Sequence, residues 1–436
     1  MQAGGGSIFH EHVPASELLT VKANFVMTAR AAWSGIACLA CLLAAAACAP
    51  AARAPIPAAG ATVATTRLPD TSTRPDRDYY VFAASEGNDQ ISLIRFGPSG
   101  LRVERTSTTG IMPSSIDGPH GVAVSPDGRF YYVTTAHGAP DGFLWKYTTA
   151  NDSLVGRVRL GSFPATAQVT PDGAFIYVVN FNLYGEMVPS SMSIVAADEM
   201  VEIARVKTCT MPHGSRLDPL GIRQYSGCMM DDLAVEIDAR DFRVARHFVL
   251  TRGKERGMSG APATRTSTNV HGAHDSGGHG METPKASDVS CSPTWVQPSA
   301  SGSTIFVACN KSSEIVEIDV ASWTMRRRFP TGNGVYNLAV TRDGRWLIGT
   351  NKRDRSVSII DVVTGREAAR IPTTRRVASG LTISSDDRYA FVTQEGVGAE
   401  PGAVDVIDLA TLRNVATVDI GQQAGGIDFW KVVAPR

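Results

Sequence analysis

Short apolar stretches alternate with turn residues along the chain from residue 79 onward. Each unit has an apolar stretch, an Asp-Gly-type turn, a stretch rich in β-branched and aromatic residues, and a third in which apolar and polar residues alternate. Two examples are HGVAVSPDGRFYYVTT, which starts at His120, and YNLAVTRDGRWLIGTN, which starts at Tyr336. A period of two indicates strands with one buried face, and an Asp-Gly pair between two such runs predicts a hairpin. The pattern therefore predicts an all-β protein.

This unit recurs six times at nearly regular spacing. Its turn residues are Gly128, Gly173, Gly221, Gly302, Gly344 and Asp387. Subtracting these positions gives intervals of 45, 48, 81, 42 and 43 residues, so the long interval is one repeat plus an insertion. A period of about 40–45 residues with about four strands per unit is typical of a β-propeller.

Segments at the two ends of the repeat region predict a seventh unit. YYVFAAS, QISLIRF and RVERTS precede the first full unit, and AGGIDFWKV follows the last one. Three N-terminal strands and one C-terminal strand would form a blade that closes the ring and removes the free sheet edges. The prediction is a seven-bladed β-propeller over residues 77–436.

Several repeats resemble a known family. SPDGRFYYVTT, TPDGAFIYVVN, FVACNKSSEIVEIDVAS and SVSIIDVVTGREAARIPT are similar to the YVTN-type propeller repeat. The resemblance covers nearly all of the propeller region and implies its fold. Related propellers include surface-layer-type proteins, lactonases and oxidoreductase subunits, so the resemblance leaves open a ligand-binding or interaction platform and an enzyme, either lactonase or oxidoreductase.

The N-terminal region predicts export. An apolar run of about a dozen residues follows a short basic stretch at 27–30, and it is too short to span a bilayer as a mature helix. It ends in small residues before Cys48, which resembles a bacterial lipoprotein signal. We therefore expect residues 1–48 to be a signal region in which translation starts at Met27 and cleavage occurs before Cys48. A lipid would then be attached to Cys48; cleavage without lipidation is the alternative. Residues 49–76 are rich in Ala, Pro and Thr and read as a flexible tether.

Charge does not point to a polyanionic partner. The chain has 42 Lys and Arg residues against 42 Asp and Glu residues. We therefore expect no nucleic-acid partner, and contact with a membrane only through the lipid on Cys48. An exported protein of this kind would be periplasmic or on the cell surface, with a protein or small-molecule partner.

Four cysteines remain after the signal region. An even number of cysteines in an exported chain favours disulfides. In the propeller register, Cys228 and Cys309 end equivalent second strands, whereas Cys209 and Cys291 shortly precede equivalent inner strands. This register predicts two bridges, Cys209–Cys228 and Cys291–Cys309, each within one blade.

The same register places unusual residues at one end of the propeller, which we call the top face. It is the end at which the inner strands begin near the axis. The inner strands begin at His120, Ala165, His213, Thr294, Tyr336 and Ser379. Two axial histidines and nearby sulfur atoms would suit copper, especially Cu(I), so we expect a transition metal or redox cofactor here. The candidate metal ligands are His120, His213, Cys228 and Met230, and the candidate cofactor-binding residues are His120, His213 and Asp231.

Each of these candidates has a structural alternative. The histidines could bond turn carbonyls, the methionine could pack beneath a loop, and the cysteines could be disulfides. A second candidate metal site lies in the insertion at about 253–288, whose segment VHGAHDSGGHGMETP is rich in histidine and glycine. Exported loops of this composition bind copper or nickel, or are plain surface loops. The candidate ligands in the insertion are His271, His274, His279 and Met281.

Overall fold

The structure, a computed structural model, describes residues 74–111, 116–137, 141–263 and 289–435. The predicted signal peptide with Cys48 and most of the predicted tether lie outside these residues. The four candidate ligands of the insertion, His271, His274, His279 and Met281, lie outside them too. Within the described residues, no helix is long and apolar enough to cross a membrane.

The described residues form seven antiparallel sheets arranged in a ring, which confirms the predicted seven-bladed β-propeller. Blade 1 consists of β1 (Asp78–Ser85), β2 (Gln90–Gly97), β3 (Gly100–Thr108) and β29 (Ala424–Val433), with a 3₁₀ helix (Glu86–Asn88) between β1 and β2. Blade 2 consists of β4 (Pro119–Val124), β5 (Phe130–Thr135), β6 (Phe143–Thr148) and β7 (Leu154–Arg159). Blade 3 consists of β8 (Pro164–Val169), β9 (Phe175–Asn180), β10 (Pro189–Ala196) and β11 (Val201–Thr210).

The remaining blades follow in chain order. Blade 4 consists of β12 (Pro212–Leu217), β13 (Arg223–Cys228), β14 (Leu233–Asp238), β15 (Arg243–Val249) and β16 (Arg256–Ser259). Blade 5 consists of β17 (Pro293–Pro298), β18 (Thr304–Cys309), β19 (Glu314–Asp319) and β20 (Thr324–Pro330). Blade 6 consists of β21 (Val335–Val340), β22 (Trp346–Asn351), β23 (Ser356–Asp361) and β24 (Arg366–Pro372). Blade 7 consists of β25 (Val377–Ile383), β26 (Tyr389–Glu395), β27 (Gly402–Asp408) and β28 (Arg413–Ile420).

Closure of the ring is as predicted. The C-terminal β29 pairs with the N-terminal β1, with Tyr80 opposite Lys431 and Asp78 opposite Val433. Apolar side chains fill the space between neighbouring blades. Between blades 7 and 1, for example, the rings of Tyr79 and Tyr389 pack edge to face with centroids 5.0 Å apart. The core is therefore a series of layers between blade faces.

The hairpin turns explain why the repeat has its characteristic sequence. In the first full repeat Gly128 has φ +70°, a left-handed conformation that glycine adopts readily, and its N–H donates to Ser125 O at 2.8 Å. The sixth repeat has Asp387 at this position, with φ +57°. Aspartate tolerates this conformation better than most residues, so the turn is retained without glycine.

Hydrogen bonds near the axis join neighbouring blades. From blade 2 to blade 1, each of six successive bonds ends on the carbonyl of the second or third residue of the next inner strand. They are Thr134 Oγ1 to Ala165 O, Thr166 Oγ1 to His213 O, His213 Nδ1 to Thr294 O, Thr294 Oγ1 to Tyr336 O, Thr350 Oγ1 to Ser379 O and Thr393 Oγ1 to Gly425 O, with lengths of 2.5 to 3.0 Å. We call this set the axial ring.

Blades 1 and 2 are joined differently. A Cβ on Gly426 would lie 2.3 Å from His120 O, so only glycine allows the two inner strands to approach this closely. The Asp428 carboxylate then accepts a bond of 2.8 Å from the N–H of Val124. This link closes the circle at the blade that holds both ends of the propeller.

Both predicted disulfides are present. Cys209 bonds Cys228 and Cys291 bonds Cys309, with Cα–Cα distances of 5.8 Å and 4.4 Å. The prediction that each lies within one blade is wrong for the first pair. Since β11 continues to Thr210, Cys209 belongs to blade 3, and its bridge to Cys228 joins blade 3 to blade 4.

The insertion begins with a strand that the sequence pattern does not predict. Residues Arg256–Ser259 form β16, which pairs with β15 on the outer edge of blade 4. Gly257 permits this arrangement, because a Cβ there would lie 2.2 Å from the indole of Trp323 and 2.5 Å from its carbonyl oxygen. The start of the predicted insertion is therefore an added edge strand of blade 4.

Asp232 fixes the point at which the chain returns from the insertion. Its buried carboxylate accepts bonds from the N–H groups of Ser290, Cys291 and Ser292 at 2.6, 3.1 and 2.8 Å. The hydroxyl of Thr251, on the other side of the insertion, also donates to it at 3.3 Å. One side chain therefore holds both flanks of the insertion against blade 4.

Replacing Asp232 by alanine should destabilise the protein strongly. Three backbone N–H groups would lose their acceptor, and an unsatisfied buried group costs about 1–3 kcal/mol. We expect the free energy of unfolding in urea to fall by roughly 3 kcal/mol or more. Asp241→Ala, at an exposed aspartate of the same blade, is the matched control. Equal stability of the two variants would contradict this account of Asp232.

Candidate functional site

Residues near the start of the inner strands meet at the top face. His120, Ala165, His213, Tyr336 and Ser379 all line one cavity of about 310 Å³, which we call the axial cavity. At the sixth predicted position the adjacent Trp295 lines the cavity, while the Thr294 hydroxyl belongs to the axial ring. The register derived from the repeats therefore brings these residues together.

A glutamate between two histidines forms one side of the cavity. Glu86, the first residue of the 3₁₀ helix in blade 1, contacts His120 Nδ1 through Oε2 at 2.8 Å and His137 Nε2 through Oε1 at 2.5 Å. Burial would raise the pKa of Glu86, but the hydrogen bonds and charges of the two histidines outweigh it and lower the pKa to about 2. His120 Nε2 makes no hydrogen bond with the described residues, so it can interact with a molecule in the cavity.

His213 is held on both ring nitrogens. Its Nδ1 donates to Thr294 O at 3.0 Å as part of the axial ring, so its Nε2 accepts the bond of 2.9 Å from the Tyr336 hydroxyl. The side chain is 2% exposed. Burial, with a smaller contribution from His120, lowers the pKa of His213 to about 3. His213 is therefore neutral, and a metal could use Nε2 only by displacing Tyr336.

Lys352 provides a positive charge at the wall of the cavity. Its Nζ lies 2.9 Å from Glu395 Oε1 and 4.3 Å from the centroid of the Tyr336 ring. Burial would lower the pKa of Lys352, but Tyr336 and Glu395 together raise it above its ordinary value. The ammonium is therefore charged, and Glu395 compensates its charge.

Arg216 provides a second positive charge, which the sequence analysis missed. Its guanidinium carbon lies 4.4 Å from the centroid of the Trp295 ring, and Nη1 donates to Ser215 O at 3.0 Å. Burial lowers the pKa of Arg216 to about 10, so it remains protonated at neutral pH. The signal was present in the sequence: four of the other five full repeats have Ala or Gln at the equivalent position of the inner strand, and the fifth has Thr.

One of the two sulfur ligands predicted for copper is not available. Cys228 is bonded to Cys209, so its predicted role as a thiolate ligand is wrong for this oxidised protein. Met230 packs against an apolar cluster that includes Phe163 and Phe181. The described part of the chain holds no group of three or more His, Cys, Asp or Glu side chains with the geometry of a metal site.

Of the remaining candidate site residues, the two histidines line the axial cavity and Asp231 has a structural role. Asp231, predicted to bind a cofactor, accepts a bond of 2.6 Å from the N–H of Thr210 and so braces the end of β11. His120 and His213 do come together, with ring centroids 6.1 Å apart. Among the predicted site residues, these two histidines form part of the axial cavity.

Comparisons with known proteins identify the fold and no family. No family model and no curated protein matches the sequence. Among solved structures, hydrazine synthase from Kuenenia stuttgartiensis is 19% identical, with a TM-score of 0.51 over 70% of this chain and 82% of that chain. A functionally unknown protein from Desulfotomaculum acetoxidans is 15% identical, with a TM-score of 0.55 over 81% and 99% of the two chains.

A third structure is dihydro-heme d1 dehydrogenase NirN in complex with DHE. It is 15% identical, with a TM-score of 0.51 over 80% of this chain and 74% of that chain. At these identities the three similarities establish a shared fold. They do not assign a ligand or an activity, because one fold serves many functions.

The buried, neutral His213 should make stability depend on pH. A histidine in the unfolded chain titrates near pH 6.5, whereas folded His213 has a pKa of about 3. Between these values the unfolded state binds the extra proton, so the contribution of His213 is complete above about pH 6.5 and decreases as pH falls towards 3. The loss is at most about 1.4 kcal/mol per pH unit.

The variant His213→Asn should have a shallower pH dependence. Its amide retains a donor for Thr294 O but does not titrate, so this variant should start less stable and lose less stability on acidification. Urea unfolding at pH 7.5, 6 and 5 measures both quantities. His247→Asn, which alters another buried histidine bonded to a carbonyl, controls for the substitution itself. Equal pH slopes in wild type and His213→Asn would show that His213 does not carry the effect.

Proposed function

We propose that this protein is an exported propeller that binds a small molecule in its axial cavity. The observation that carries the proposal is the convergence of His120, Lys352 and Arg216, from three different blades, on one cavity. Polar groups of a rigid scaffold that converge in a cavity with aromatic walls are typical of a ligand site. Phe163, Phe181 and Trp295 supply those walls here.

The size of the cavity supports a small ligand. About 310 Å³ lies at the lower end of the range for small-molecule sites, roughly 300–1,000 Å³. The groups that line it are held by the inner strands and the axial ring, so the site is formed before a ligand arrives. Such preorganisation reduces the entropy lost on binding.

Export is part of the same proposal. The two disulfides indicate an oxidising compartment outside the cytoplasm. A lipid on Cys48 would hold the propeller at a membrane, and membership of the YVTN-type family would agree with the repeat sequence. A copper ion or redox cofactor at the top face stays a prediction. Of its candidate ligands, His120 lines the cavity, and its Nε2 has no hydrogen-bond partner among the described residues.

A second candidate function is catalysis by His120. The Glu86 carboxylate holds Nδ1, and Nε2 makes no bond with the described residues, which is the arrangement of an oriented general base. A lactonase or related hydrolase would use His120 to take a proton from water as that water attacks a carbonyl. This function requires turnover, which distinguishes it from binding alone.

Filling the axial cavity should abolish ligand binding without unfolding the protein. A Cβ on Gly425 would meet no atom closer than His120 O at 3.8 Å, and Gly425 lines the cavity, so Gly425→Leu should place its side chain in that space. We expect small molecules that co-purify with the wild-type protein, detected by mass spectrometry after denaturation, to be absent from Gly425→Leu. Ala410→Leu, at an exposed turn, is the matched control. Retention of the same molecules by Gly425→Leu would place the ligand elsewhere.

The catalytic alternative makes a separate prediction. If His120 is a general base, Glu86→Gln and His120→Gln should each reduce kcat on a hydrolysable lactone or ester by about 10²–10⁴-fold. Binding of a non-hydrolysable analogue should change much less. Turnover that is equal in wild type and both variants would exclude His120 from the chemistry, while leaving the binding proposal intact.

A further inference from the structure

The charge of Arg216 is unusual among the interior arginines. Arg95 is 5% exposed and lies 2.9 Å from Asp78 and 2.8 Å from Glu104. Arg246 lies 2.6 Å from Glu236. Arg216, by contrast, has no carboxylate within ion-pair distance among the described residues. Arg216 is partly buried and its charge has no ion-pair partner among the described residues, so an anion in the cavity would be stabilised by it.

The acidic group whose charge acts on Arg216 is Asp428, and its carboxylate has another role. Asp428 is close enough to affect the titration of Arg216, but its carboxylate accepts bonds from Val124 N at 2.8 Å and Phe429 N at 2.9 Å. These bonds belong to the closure between blades 1 and 2. Burial also raises the pKa of Asp428, which weakens it as a counter-ion.

Trp295 fixes the plane of the guanidinium and leaves its donors unoccupied. A guanidinium has five N–H donors, and Ser215 O accepts one of them, which leaves four without an acceptor among the described residues. Stacking on an indole orders the group while leaving its edge available for a planar anion. Arg216 and Trp295 both line the axial cavity, so the edge is accessible to a ligand there.

The other charges of the cavity select the kind of anion. Glu86 also lines it, and its carboxylate would repel a doubly charged phosphate more than a singly charged carboxylate. Lys352 already pairs with Glu395, so it adds little net attraction. The aromatic walls favour a ligand with an apolar body.

We propose that the axial cavity binds a small organic monocarboxylate, whose carboxylate lies against Arg216 and whose apolar part packs against Trp295, Phe163 and Phe181. A guanidinium and a carboxylate can form two parallel hydrogen bonds, which gives both affinity and orientation. This inference rests on the proposed function and adds to it the chemical class of the ligand and the residue that recognises it.

Binding of matched acids and amides tests the proposal. The probes are acetate, benzoate, phenylacetate and phenylpropionate, the corresponding neutral amides, and inorganic phosphate, each titrated by calorimetry at pH 7.5. We expect at least one aromatic acid to bind, its amide to bind at least tenfold more weakly, and phosphate to bind more weakly than that acid. Arg216→Met, which keeps an apolar chain over Trp295, should weaken the acid at least tenfold and leave the amide nearly unchanged.

Two further variants separate charge recognition from folding. Arg216→Lys keeps the charge without the two-pronged geometry, and it should recover part of the affinity that Arg216→Met loses. Arg345→Met is the matched control, because Arg345 lies 4.3 Å from the ring centroid of Trp346 and lines no part of the axial cavity. Its affinity for the acid should equal that of the wild-type protein. Unchanged melting temperatures confirm that all three variants fold.

The possible outcomes distinguish this inference from the proposed function. Amides that bind as tightly as acids, or Arg216→Met with undiminished affinity for acids, would overturn recognition of a carboxylate and leave the cavity as a ligand site. Tighter binding of phosphate than of any acid would overturn the choice of anion. Failure of every probe to bind the wild-type protein would overturn the proposal that the ligand is a monocarboxylate. The co-purification experiment with Gly425→Leu would still decide whether the cavity binds a ligand.

Discussion

The axial ring of hydrogen bonds is the interaction on which the rest of the propeller depends. Each blade is a small sheet that cannot bury both of its faces alone, so its position is set by contact with its neighbours. Apolar packing between blades is nearly non-directional, whereas a hydroxyl of one blade that donates to a carbonyl of the next fixes their relative height. Because the Thr134, Thr350 and Thr393 hydroxyls are fully buried, each has to find its acceptor.

The candidate site is built from the same interactions. His213 donates the axial-ring bond of blade 4, whereas threonine hydroxyls donate the corresponding bonds of blades 2, 3, 5, 6 and 7. Its second nitrogen contacts Tyr336 at the wall of the cavity. The side chain that joins blade 4 to blade 5 therefore also shapes the binding space. On the opposite side, Glu86 from blade 1 holds His120 from blade 2, so a contact between blades orients His120 Nε2, which has no hydrogen-bond partner among the described residues. Scaffold and site cannot be altered independently at these positions.

The sequence predicts most of the fold and only part of the site. Repeat length and local alternation give seven blades, the closing strand, both disulfide pairs and the axial positions of His120 and His213, because these features depend on periods that are visible along the chain. Glu86, Arg216 and Asp232 were missed as partners because their contacts join residues from separate units. Tyr336 and His213, for example, are 123 residues apart. The prediction that Cys228 binds copper was based on residue type alone, and residue type does not distinguish a free thiolate from a disulfide-bonded cysteine.

The pairing of β29 with β1 has a consequence for the order of events in the cell. Blade 1 lacks its inner strand until residues 424–433 have emerged, so the ring stays open while the rest of the chain is being delivered. The bridges at separations of 19 and 18 residues involve only local segments, so oxidation can precede closure. Closure of the ring can therefore be the last step of folding, on blades that the two bridges already brace.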